Sequence, residues 1–168
     1  MTQIVLGNPS YAPKLEAKLS SLLDLQVVDG NWPVVPGKDI GLVQFCHGAP
    51  GSIISLVAIR PHFTAHLQAR IDAAVERGRK VTWEKALLTK EPNICHGIIG
   101  NALALKAPER DHFLGFATPE KIKQGIADGR FEKDEEPYGL LWGEAGRAWV
   151  WMNVVNSSVD GIIPYTDI

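Results

Sequence analysis

The chain is poor in several things, and each shortage excludes something. It has only two cysteines, Cys46 and Cys95, so it is not a disulfide-built scaffold. It has no basic surplus: 17 Lys and Arg stand against 19 Asp and Glu, a net charge of −2. Nothing here neutralises a phosphate backbone, so no nucleic-acid partner is expected. No apolar run reaches the roughly 18 residues of a membrane-spanning helix. The first residues, MTQIVLGNPSYAPK, have neither the basic start nor the apolar stretch of a secretory leader. Thr2 stands where N-myristoylation would need glycine. A reduced, cytoplasmic setting is the expectation, with peripheral membrane attachment left open. There paired cysteines more often serve a metal or catalysis than a disulfide. Alternating strand patterns are also missing, which removes a sheet-built fold.

What is present is an ordinary globular composition, 45% hydrophobic over 168 residues, enough for a core. Leu15, Leu19, Leu22 and Leu23 share one helical face within 10–26. The stretch 27–44 is broken by Asp29-Gly30, Pro33, Pro36 and Gly37, and reads as a long loop. An apolar run covers 52–59. An amphipathic helix over 62–77 is expected to stop at Gly78, and a short helix over 82–90 to start from an N-cap at Thr82. Further helices are expected over 97–106, 111–117, 119–127 and 143–155. Thr118 caps the third of these, with Pro119 at its first position. Asp134, Glu135 and Glu136 read as a solvated charge run in a loop, and the tail GIIPYTDI as irregular. The fold class expected is all-α.

Three segments are alike when stacked: CHGAPGSI from Cys46, CHGIIGNA from Cys95, and WGEAGRA from Trp142. Each carries Gly-x-x-Gly and runs into a helix. Their first glycines are Gly48, Gly97 and Gly143, a period of 46–49 residues. That is the period of a helical-hairpin repeat, whose units bury their apolar faces only by stacking.

The repeat gives the cysteines meaning. Cys46 and Cys95 hold the same place in successive units, so stacking brings them together, and His96 adds an imidazole. Two thiolates and one imidazole with a fourth position open is the ligand set of a catalytic zinc. His47 is a rival or fourth ligand, and a closed Cys₂His₂ site would be structural instead. His62, His66 and His112 have no partner pattern and read as surface or helix residues. Glu144 lies at the third Gly-x-x-Gly turn and Arg147 follows it. They are candidates to face the metal or an anionic substrate, beside plain helix-surface roles.

These residues carry a resemblance. QFCHGAPG (44–51) and NICHGIIGNALAL (93–105) resemble the Trp-Cys-His-Gly-Ala-Pro-Gly and Cys-His-Gly-x-x-Gly-Asn signatures of the lanthionine synthetase C-like family, with Phe45 in the Trp place. PYGLLWGEAGRAW (137–149) is more loosely similar to a later motif, with Trp142 where Glu is usual, and Ile98-Ile99 replaces smaller residues. DLQVVDGNWPVVPG and the terminal PYTDI also fit, so the likeness spans nearly the whole chain. His47, Ala49 and Pro50 point to the eukaryotic branch.

The resemblance implies an α/α toroid of about seven helical hairpins around a zinc, roughly 350–400 residues at this period. The chain 1–168 would be its C-terminal portion, a partial toroid without the N-terminal repeats. The implied zinc ligands are Cys46, Cys95 and His96, with His47 a neighbour. The implied chemistry is addition of a thiol, from glutathione or a peptide cysteine, to dehydroalanine or dehydrobutyrine in a protein. The family's proton-handling histidine lies in an Ala-His-Gly turn that this chain does not contain, so the catalytic acid is unknown. A zinc- or glutathione-binding protein without turnover, or an inactive truncated fragment, is the alternative expectation.

Overall fold

The computed structural model describes residues 9–38, 40–132 and 138–155. The charge run at 134–136 and the tail GIIPYTDI lie outside them. Among the described residues the regular structure is helical. After a 3-10 turn at Pro9–Tyr11 come α1 (Ala12–Asp24), α2 (Ala49–Ile59), α3 (Ala65–Lys85), α4 (Ile98–Ala102), α5 (Glu109–Leu114), α6 (Pro119–Ala127) and α7 (Glu144–Val155). Isolated bridges such as Gln44–His47 and Lys90–Glu132 occur, with no strand among the described residues. The expected all-α class holds.

The elements pack as their apolar faces require. α2 and α3 form a hairpin across the 3-10 turn Arg60–His62, α1 lies on α3, and α4 lies against both α2 and α5. Of the leucine stripe on α1, Leu19 and Leu23 are buried, while Leu22 remains partly exposed. The common core runs through Ile53, Leu56, Ile71, Val81, Ile94, Ile98, Phe113 and Val150. Removing these side chains from water supplies most of the driving force for the stack.

Residues 27–38 and 40–44 lie in the expected long loop, and local chemistry ties it down. Asp29 accepts from Asn31 N–H at 3.0 Å and from Lys85 Nζ at 2.6 Å. The Lys85 hydrogen bond holds the Asp29 carboxyl below its ordinary range. Trp32 is buried, with its indole N–H donated to the Leu22 carbonyl at 3.0 Å. Thr118 caps α6 as expected, accepting from Lys121 N–H.

The helix expected over 111–117 lies at Glu109–Leu114, and two larger differences from expectation have a physical cause. Gly78 does not end a helix, and Thr82 does not begin one; a single helix, α3, runs through both. The reason is packing. A Cβ at residue 78 would lie 3.0 Å from Ile53 Cγ1 and 3.1 Å from Trp32 Cζ3. Glycine lets α3 settle onto α2 and the loop, and the Thr82 hydroxyl bonds back to the Gly78 carbonyl at 2.8 Å. The second difference is α4, regular only over Ile98–Ala102 rather than 97–106. Pro108 disfavours helical geometry at Ala107. The Asn101 side chain is committed elsewhere, donating to Ala86 O at 2.9 Å and Val43 O at 3.4 Å.

Gly78→Ala has opposed effects. Alanine gains about 1 kcal/mol of helix propensity. Displacing Trp32 and Ile53 from a closed contact costs about 2 kcal/mol. A net loss of about 1 kcal/mol is expected in urea unfolding, and a stabilised variant would show that α3 is free to shift.

Candidate metal centre

The three Gly-x-x-Gly segments share one close contact, made at the second glycine. A Cβ on Gly51 would lie 2.1 Å from Phe45 O, on Gly100 1.8 Å from Ile94 O, and on Gly146 1.9 Å from Leu140 O. Each second glycine thus receives the carbonyl of the residue six places before it. No side chain fits there. This makes Cys46, Cys95 and Leu141 structurally corresponding residues.

The turns then stack through their main chains. Cys46 N–H donates to Cys95 O at 2.9 Å, and Cys95 N–H donates to Leu141 O at 2.9 Å. Ile94 N–H shares the Leu141 carbonyl at 3.1 Å. Residues 49 apart in sequence become neighbours by this ladder.

Local hydrogen bonds shape each turn. Gln44 and His47 exchange main-chain bonds of 3.0 and 3.1 Å, leaving Phe45 and Cys46 at the corner. Asn31 Oδ1 accepts from Ala49 N–H at 2.8 Å, meeting an otherwise orphan donor at the start of α2. In the second unit Asn93 does comparable work. Its Oδ1 accepts from His96 N–H at 2.9 Å and Gly97 N–H at 3.0 Å, and its Nδ2 lies 3.1 Å from His96 Nε2.

The result is a donor cluster. One ligand atom each from Cys46, Cys95 and His96 lie within 4.8 Å of one another. Cys95 and His96 are half-buried, and Cys46 is exposed. Such a group could hold a metal ion. At zinc bond lengths of about 2.0–2.3 Å, tetrahedral ligand atoms stand roughly 3.5–3.8 Å apart. Closing the cluster on an ion therefore needs side-chain movement of about 1 Å at most.

The Cys46 thiol is also perturbed by its surroundings. Partial desolvation and the adjacent Cys95 thiol push the Cys46 thiol up to about 11, against a smaller opposing bond from Gln44 Nε2 at 3.3 Å. His47 Nδ1 lies 3.2 Å from Cys46 Sγ, yet His47 is exposed and outside the three-donor cluster. An open groove of about 500 Å³, walled by Leu22, Trp32, Pro33, Val34, Phe45 and Ile54, reaches Cys46.

Of the other sequence candidates, Glu144 is exposed at the start of α7. Arg147 pairs with Glu91 at 2.8 Å. His62 and His66 are exposed. His112 is exposed too, with ring centroids 5.2 Å from Trp83 and 5.3 Å from Phe116. Sequence reasoning missed Asn93 and Glu91. Pro92-Asn93 reads simply as a break, although Asn two residues before a Cys-His-Gly segment is also an Asx-turn signal.

Comparison with known proteins agrees with this geometry. Residues 3–164 match the family described as Lanthionine synthetase C-like protein. The chain belongs to that family. A curated relative, "Glutathione S-transferase LANCL1" of Danio rerio, is 29% identical over 106 residues. The aligned stretch is 62% of this chain and only 25% of the Danio rerio protein. Among the described residues of this LanC-like chain, no helix is long and apolar enough to cross a membrane.

Proposed function

We propose that this chain is the zinc-binding, C-terminal portion of a LanC-like α/α toroid, with Cys46, Cys95 and His96 as the ligands. The observation that carries the reading is the convergence of those three donors from two successive repeats. Soft thiolates with an imidazole favour zinc among the common divalent metals. When bound, zinc would hold a substrate thiol as thiolate near neutral pH.

Glutathione is the thiol favoured, in line with the name of the Danio rerio relative. The electrophile is dehydroalanine or dehydrobutyrine in a protein. The thiol loses its proton, the sulfur bonds to the β-carbon, the π pair moves to the α-carbon, and the α-carbon takes one proton back, so that S–H adds across the double bond with no leaving group. The chain's own residues orient this chemistry. Asn93 fixes the Cys95–His96 turn, Gln44 donates to the Cys46 sulfur, and the groove beside Cys46 admits the reactants.

The second reading is a zinc- or glutathione-binding protein without turnover. It draws on the small share of the relative that the aligned stretch represents. Two measurements decide. Elemental analysis should give one zinc per chain, and a metal-free protein after careful purification would reject the site. Incubation with glutathione and a dehydroalanine peptide should give the thioether. Zinc with no adduct would leave binding alone.

A further inference from the structure

The turn that carries Cys95 and His96 is gripped from behind by a buried charge pair. Glu91 stands four residues before Cys95, and Arg147 lies on α7, just after the second glycine of the third repeat. Arg147 Nη1 donates to Glu91 Oε1 at 2.8 Å and to the Pro92 carbonyl at 3.3 Å. The two side chains are only 11% and 7% exposed. Arg147 Nη2 lies 3.6 Å from the exposed Glu144 carboxylate. Leu141 O, in the same third repeat, takes the N–H groups of Ile94 and Cys95. The third repeat therefore holds the ligand turn at Glu91, Pro92, Ile94 and Cys95, yet supplies no metal donor to the cluster.

Stability alone is a poor account of this pair. Taking both charges out of water offsets most of their attraction, and apolar residues of like volume commonly serve as well. A guanidinium fork adds direction instead, because its donors are fixed in one plane. The segment it orients is short and stiff. Pro92 restrains the backbone, and Asn93 closes the turn onto His96 and Gly97. A shift at residue 91 is thus passed on to residues 95 and 96.

We infer that Arg147 is a positioning residue for the metal centre: through Glu91 and Pro92 it sets the Cys95–His96 turn at the distance from Cys46 that lets three donors meet one ion. The inference rests on the zinc reading above. It also gives Arg147 to the protein interior rather than to an anionic substrate.

The test uses the whole chain with two variants. Arg147→Lys keeps the charge and loses the fork. The pair replacement Glu91→Gln with Arg147→Met leaves neither charge buried alone, and carries the comparison if Arg147→Lys does not fold. Cobalt(II) titration follows the thiolate-to-cobalt absorption, with zinc competition for affinity. Both variants should keep wild-type helicity by circular dichroism and bind metal about tenfold more weakly or worse, as outer-shell changes do. A metal-free readout runs beside it. Diamide takes two electrons and two protons as Cys46 and Cys95 join, and this coupling should slow severalfold in both variants. Unchanged affinity and unchanged coupling would overturn the inference. So would normal metal affinity with weakened glutathione binding in Arg147→Lys, which would assign the arginine to substrate. A wild-type chain without the cobalt band rejects the zinc reading instead, and the coupling rates then decide whether the pair positions the cysteines.

Discussion

Cys95→Ala is expected to abolish stoichiometric zinc binding while leaving the helical signal nearly unchanged. Structural zinc sites bind with about 10–16 kcal/mol, so one of three or four ligands carries roughly 3–4 kcal/mol, a loss of several hundredfold in affinity. Cys95, as a proposed ligand, sits at the centre of the stack: its N–H goes to Leu141 and its carbonyl receives Cys46. Both are main-chain bonds, so alanine preserves them. The fold stays, and only the sulfur goes. Cys46→Ala and His96→Ala should lose zinc as well. His47→Ala should keep one zinc per chain, since His47 lies outside the three-donor cluster. Loss of zinc in His47→Ala would indicate a closed four-ligand site instead. Binding should also depend on pH. The Cys46 thiol, raised to about 11, is protonated at neutral pH, and metal must displace that proton. At fixed free zinc the apparent affinity should therefore fall about tenfold per pH unit on acidification from this proton alone, and recover on return to higher pH. Titrations at pH 6, 7 and 8 with a chelator of known affinity check this.

The donor cluster is legible in the sequence because its spacing is a backbone property. Glycines at equal intervals mark places where one main chain presses on another. The pattern survives in sequence because any side chain would collide. Once the period is seen, equal placement of Cys46 and Cys95 follows. The limits of Pro119–Ala127 were readable for a similar reason, since the Thr118 cap and Pro119 act within one turn. Gly78 is not legible locally because glycine has two meanings. The same residue that stops a helix also lets a helix lie close to its neighbour, and only Trp32 and Ile53, distant in sequence, decide between them. Arg147 shows the other limit. Its partner is 56 residues away and on no periodic offset, so nothing local announces it. Asn93 falls between: its turn-forming chemistry is local, but its reach to His96 depends on where the second repeat places that ring.

Gly100→Ala is expected to be the most damaging of the three Gly-x-x-Gly substitutions, lowering stability by roughly 3 kcal/mol or more. The new Cβ would stand 1.8 Å from Ile94 O and 2.7 Å from its carbonyl carbon. Relief requires moving one main chain away from the other. Ile94 has nowhere to go: its side chain is fully buried and its N–H is held by Leu141 O. Residue 94 also precedes Cys95, so any shift carries the thiol away from Cys46. Gly146→Ala meets Leu140 O at 1.9 Å and Ile94 Cδ1 at 3.0 Å, and should cost nearly as much. Gly51→Ala meets Phe45 O at 2.1 Å, but Phe45 is only half-buried beside an open groove, so that turn yields more readily. Urea unfolding with metal removed by chelator should rank the losses Gly100, then Gly146, then Gly51. Zinc affinity should separate them further. Gly100→Ala disturbs the turn bearing two ligands, Gly51→Ala the turn bearing one, and Gly146→Ala reaches the centre only through Leu140 and Ile94. Three equal and small losses would mean that the carbonyl contacts relax freely, and the repeat would then owe its glycines to something other than this approach.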